Sequence, residues 1–177
     1  MPVIKPVKEI HPTFGDNCFI AENATIVGEV IVGNDCSIWF NAVVRGDVNS
    51  ITIGNKVNVQ DGAIIHCTYT NLPAGQAGAK TTIGDNVSIG HNAIVHGCTL
   101  EDNVLIGMGA IVMDNAVVEK NAIVAAGAVV LENTRVESGT IYAGVPAKKV
   151  KTISPEHFEG LNMRIANNYV IYSEWFK

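Results

Sequence analysis

Residues 100–129 read LEDNVL-IGMGAI-VMDNAV-VEKNAI-VAAGAV, unit after unit of six, and the next unit opens at Val130. Each begins with an aliphatic residue: Leu100, Ile106, Val112, Val118, Val124. Each carries a small or modest residue in fifth place: Val104, Ala110, Ala116, Ala122, Ala128. Gly, Asn and Asp crowd the positions between. An amphipathic helix needs apolar residues about every 3.6 positions and a half-buried strand every two, so a beat of six fits neither. A short strand alternates its side chains, which lets two positions per unit point inward. Gly, Asn and Asp tolerate the turn that must follow. Three such faces close a triangular coil of about 18 residues, stacked on the next at roughly 4.8 Å.

The beat extends outward from this stretch. Upstream it runs Phe14, Ile20, Ile26, Val32, Ile38, Val44; after three extra residues it resumes at Ile53, Val59, Ile65. It returns at Ile83, Ile89, Val95 and drops one residue before Leu100. Downstream it ends with Val130 and Val136. The segment Thr68 to Lys80 would place Asn71 and Ala77 in the core if the beat continued, so it reads as a loop projecting from one corner. The expected fold is all-β: a left-handed parallel β-helix of hexapeptide repeats over 1–147, a triangular prism. A linker and one C-terminal α-helix follow over 148–177. Ser154-Pro155-Glu156 supplies an N-cap, a Pro at the first helical position and an early acid. Phe158, Leu161, Ile165, Tyr169, Tyr172 and Phe176 make an aromatic stripe that should pack along the prism or onto a neighbour.

Composition agrees. Apolar residues make up 47% of the 177, yet aromatics only 6%, so the core must be built from small and branched aliphatics. The net charge of -5, without a Lys/Arg cluster, argues against nucleic acid and against anionic membranes. The start lacks a basic n-region followed by an apolar stretch, and the longest apolar run, Ala122 to Leu131, is too short to span a bilayer. Cys18, Cys36, Cys67 and Cys98 show no Cys-x-x-Cys spacing. A cytoplasmic location is expected.

The repeat gives the histidines coordinates. His66 is second in the unit opened by Ile65, and His96 is second in the unit opened by Val95. With the loop excised these units are one full coil apart, so both rings point outward from one column, roughly 4.8 Å apart. Two imidazoles at that spacing can share a metal at about 2.0–2.1 Å each. His91 is third in its unit, on another face, and a neighbouring prism would have to supply it. A threefold axis then yields metal sites between chains. Isolated surface histidines are usually only that, but three of five gathered here, two of them in register, are harder to dismiss. Arg45 falls one coil below His66, and Asp61 one coil below His91. Arg45 and Asp61 read first as partners that hold subunits together, and second as support for the metal site. Cys18 and Cys36 take the small fifth position, and neither Cys67 nor Cys98 falls in the ligand column.

These residues resemble the gamma-class carbonic anhydrase family, in particular its short bacterial members. The resemblance is carried by Arg45-Gly46-Asp47, Asn58-Val59-Gln60-Asp61, His66, Gly90-His91 and His96-Gly97-Cys98. Gly107-Met108-Gly109, Gly144-Val145-Pro146-Ala147 and Asn167-Asn168-Tyr169 add to it. It implies a homotrimer with zinc, or iron(II), held by His66 and His96 of one chain and His91 of the next. It implies hydration of carbon dioxide to bicarbonate by metal-bound hydroxide, with Gln60 orienting that hydroxide. Arg45, Asp47 and Asp61 would serve the interface and the site's hydrogen bonds, and Tyr169 is the candidate for a helix tyrosine reaching the site. The glutamates that export protons in the archetypal branch have no counterpart: Val48 follows Asp47, and Thr68 to Lys80 holds no acid. Weak hydration is therefore expected. The rival enzymes are a hexapeptide-repeat acyltransferase, which needs one His as general base, and a coenzyme A thioester hydrolase. The non-enzyme rival is a metal-bearing scaffold without turnover.

Overall fold

The computed structural model describes residues 1–69 and 78–176. It is a left-handed parallel β-helix of about seven coils with a C-terminal helix, as the beat of six requires. The short strands line three faces. One stacks Ile26, Val44, Ile65, Val95, Val112 and Val130. The second stacks Val32, Ile53, Ile83, Leu100, Val118 and Val136. The third stacks Ile20, Ile38, Val59, Ile89, Ile106, Val124 and Tyr142. All but Ile20 are buried, and the alanines of the fifth position beside them are equally closed to water.

The corners explain the polar part of the repeat. The fourth residue of unit after unit has positive φ: Asn86, Asn92, Asn103, Asn115, Asn121 and Asn133 lie between +56° and +60° or close to it. Asn enters this left-handed region more cheaply than other residues with a Cβ. At Gly107 a Cβ would stand 2.4 Å from the Ala126 nitrogen, so only glycine fits that corner. At the corner after the second face, third-position side chains tie coil to coil. Asn34 Oδ1 accepts the Asp16 N–H at 2.7 Å, Asn55 Oδ1 the Asn34 N–H at 2.9 Å, Asp85 Oδ1 the Asn55 N–H at 2.7 Å, and Asp102 Oδ1 the Asp85 N–H at 2.9 Å.

The interruptions fall at corners. Gly28 aligns with Gly46 but Val30 with Ile51, so the extra residues bulge out between two faces. Ile65 aligns with Val95, and Ile51–Ile53 with Thr81–Ile83, as excision of the long loop requires. The Thr68 N–H donates to the Ala79 carbonyl at 2.8 Å, bringing the loop's ends together. Its middle, 70–77, with the rejected core positions Asn71 and Ala77, lies outside the described residues.

Past the last coil, Lys148–Thr152 is not merely linker: it folds back as a strand antiparallel to Thr140–Ala143. Ser154 caps the helix, its Oγ accepting the His157 N–H at 3.2 Å. The helical run covers 155–174 with a π-helical segment at Glu159–Met163. It packs along the third face of its own prism. Asn162 Nδ2 donates to the Asn103 carbonyl at 2.9 Å, and the Tyr169 ring meets Trp39 edge-on at 5.3 Å. The most deeply buried residues of the helix are Asn162, Ala166 and Ser173, while stripe members Tyr169, Tyr172 and Phe176 reach the prism's core or its aromatic residues and stay partly exposed. Small side chains permit the close approach; the rings flank it. Among the described residues no helix is long and apolar enough to cross a membrane.

Candidate metal centre

The strand Ile64–His66 pairs in parallel with Ile94–His96, placing His66 directly against His96. Inward burial of Ile65 and Val95 forces the next residue of each strand outward. The two rings stand 5.0 Å apart, with His66 Nδ1 3.1 Å from His96 Nε2. Two nitrogens bound tetrahedrally to one zinc at 2.0–2.1 Å lie about 3.3 Å apart. The pair therefore fits one edge of such a site.

Each ring has a carboxylate on its other nitrogen. His66 Nε2 is 3.0 Å from Asp47 Oδ1, and His96 Nδ1 is 2.5 Å from Asp114 Oδ1. Arg45, in the same column one coil below, donates to Asp47 Oδ2. Burial pushes the Asp47 carboxyl up, but the bonds from His66 and Arg45 outweigh it and hold the group below its ordinary value. Burial, only partly offset by Asp47, lowers the His66 imidazole and favours the neutral ring a metal requires.

The second group lies around the corner. Asp61 and His91 sit one coil apart, with His91 Nδ1 2.9 Å from Asp61 Oδ2. Gln60 is buried, and its Nε2 donates to Asn58 Oδ1 at 2.9 Å, which orients the amide; Asn58 Nδ2 donates in turn to Ser88 Oγ. Gln60, His91 and Tyr169 line a largely apolar groove of about 350 Å³ between helix and prism, with Leu105, Met108 and Ile165. Burial first, then the Asp61 charge, pushes the Tyr169 phenol up to about 12, so it stays protonated.

The structure thus gathers the sequence candidates into two sets: Arg45, Asp47, His66 and His96 at one corner, Gln60, Asp61, His91 and Tyr169 at another. Among the described residues of one chain, no three metal-ligating side chains converge. Within the chain, Arg45 pairs with Asp47 and Asp61 with His91. Cys67 and Cys98 point into the core, where burial pushes their thiols up to about 11 and about 12. Sequence reasoning missed Asp114 and Thr68. Asp114 is third in the unit opened by Val112, one coil above Gly97, and the register could have placed it beside His96. Asp is commonplace at such corners, so the residue type by itself carries no signal. Glu132 lines a cavity of about 300 Å³ together with His96 and Asp114, so acids near the site come from coils above it.

Residues 11–46, 80–112 and 97–132 match the family model for bacterial transferase hexapeptide repeats. The chain is 43% identical to the carbonic anhydrase of Geobacillus kaustophilus, over 99% of its own length and 91% of that protein's. It is 43% identical to the mitochondrial gamma carbonic anhydrase 2 of Arabidopsis thaliana, over 90% of its own length but 56% of that protein's, so it spans little more than half of the plant protein. A hexapeptide transferase family protein from Anaplasma phagocytophilum has the same fold, with a TM-score of 0.89 and 38% identity over 99% of this chain and 98% of that one.

Proposed function

This chain belongs to the hexapeptide-repeat family of gamma-class carbonic anhydrases, and on that premise we propose that it is a trimeric metalloenzyme hydrating carbon dioxide reversibly to bicarbonate. The observation that carries the proposal is the His66–His96 pair: two ring nitrogens 3.1 Å apart, each ring buttressed by a carboxylate. Carboxylate-backed imidazoles are the common way to hold a catalytic metal. His91 of the next chain completes the set, leaving one position open for chemistry. The family implies a metal; three imidazoles suit zinc first and iron(II) second. Bound there, zinc supplies a nucleophile at neutral pH by acidifying water.

The chain's own residues have definable tasks. Gln60, held by Asn58, offers a fixed polar group in the lining of the apolar groove. Tyr169 and Leu105 wall that groove and exclude water from an apolar substrate. Arg45 and Asp47 keep His66 aimed. The outward column Val43, Ile64, Ile94, Ile111 and Val129 gives the histidine face an aliphatic surface against which a second prism can pack. An acyltransferase needs a single histidine base, for which paired imidazoles are superfluous. The absence of acids at Val48 and in the loop supports slow proton export. Four cysteines with no disulfide among them, three of them buried, suit the reducing cytoplasm.

The test is stopped-flow carbon dioxide hydration by protein reconstituted anaerobically with zinc and, separately, with iron(II). Metal-dependent hydration is expected. Stoichiometric metal without hydration, alongside acetyl transfer from acetyl-coenzyme A, would overturn the activity.

A further inference from the structure

We propose that Asp114 is a positioning residue whose carboxylate fixes the tautomer and the aim of His96, so that the Nε2 lone pair is presented beside His66 Nδ1. This rests on the metal-site reading above and adds a residue to it.

The contact itself sets the proton. An ionised carboxylate can only accept, so with Asp114 Oδ1 at 2.5 Å, His96 Nδ1 carries the hydrogen and Nε2 is bare. The other oxygen, Oδ2, accepts the hydroxyl of Thr68, which holds the carboxylate at both ends. Asp47 does the same for His66 from the opposite side, leaving Nδ1 bare. Two bare nitrogens then face each other at 3.1 Å, an arrangement that only a shared cation makes favourable.

The bland alternative is that Asp114 is one more corner residue tying two coils. Asn34, Asn55, Asp85 and Asp102 play that part, each accepting a backbone N–H from the coil below. Asp114 does not. The N–H it would take belongs to Gly97, and that group is already bound by Thr81 Oγ1 at 3.0 Å and the His66 carbonyl at 3.1 Å. Thr81 thereby leaves the Asp114 carboxylate to the imidazole. Gly97 lets it through: a Cβ there would stand 2.5 Å from Asp114 Oδ1 and 2.8 Å from the Ala79 Cβ, on a backbone with φ of +55°.

The experiment uses the full chain. Histidine ¹⁵N NMR of the metal-free wild type should show His96 protonated at Nδ1. Asp114→Asn can turn its amide NH₂ to the ring and should shift His96 toward the Nε2–H tautomer. Its zinc and cobalt(II) affinities, measured by chelator competition, should fall about 10- to 100-fold. Thr68→Val, which leaves the carboxylate in place, should lose less. A wild-type His96 protonated at Nε2 overturns the proposal, and so does an Asp114→Asn protein with unchanged tautomer and affinity. If Asp114→Asn fails to fold, the wild-type spectrum still decides. If the wild type binds neither metal, the metalloenzyme reading fails, while the tautomer result stands or falls separately.

Discussion

Mixing two defective chains tests the division of ligands directly. His91→Ala keeps the His66–His96 pair and loses the third imidazole; His96→Ala keeps His91 and breaks the pair. Each homotrimer should be metal-poor, because loss of one of three protein ligands weakens a site built for four-coordinate zinc severely. Suppose the two are unfolded, mixed equally and refolded. Each interface draws its pair from one chain and its third ligand from the next. It is intact only when a His91→Ala chain supplies the pair and a His96→Ala chain supplies His91. Random assembly around a threefold axis makes that combination about one quarter of all interfaces. The mixture should therefore retain zinc at about a quarter of wild-type stoichiometry after dialysis, against nearly none for either parent. His66→Ala mixed with His96→Ala is the control. Those two ligands stand 3.1 Å apart on one chain, so no interface in that mixture is ever whole. Native mass spectrometry establishes that mixed trimers form. If they form and the first mixture binds no more zinc than its parents, the three histidines do not combine across chains and the register argument fails.

Other outcomes follow from the same geometry. Sedimentation should give a trimer, and a metal-loaded monomer would contradict the shared site. Hydration should be slow and should rise steeply with added imidazole buffer, which carries the proton that Val48 and the acid-free loop cannot; fast turnover indifferent to buffer would refute this. Ile89→Ala, at a position closed to water, should cost roughly 2–5 kcal/mol in urea unfolding, whereas Ile171→Ala on the exposed side of the helix should stay within about 0.5 kcal/mol. A hydrogen bond with Cys18 and burial both push the Cys36 thiol far up. The folded chain then keeps its proton while the unfolded chain loses it above about pH 8.5, so stability should be intact below that pH and decline above it. Cys36→Ala should flatten that decline, and an unchanged slope would show that the thiol contributes nothing.

The hexapeptide beat settled the prism, because inward-pointing aliphatics at every sixth residue can be buried together only on flat, turn-separated faces. The same register put His66 against His96, since parallel stacking leaves no freedom once the coil length is known. The cap at Ser154 was equally local. Other features depended on side-chain geometry that no spacing encodes. Asp114 looked like its corner counterparts in the sequence; its different use follows from Thr81 occupying the Gly97 N–H. The strand at Lys148–Thr152 was hidden because it is charged and exposed on both sides, so it lacks the alternation that marks a half-buried strand. The aromatic stripe predicted both the helix and its packing on the prism, where Tyr169 and Phe176 meet Trp39, but not that Asn162, Ala166 and Ser173 would be its most buried residues. Periodicity determines which way a residue faces in a repetitive fold, but which partner its polar atoms take depends on competition among neighbours several coils apart, and only the tertiary structure decides that.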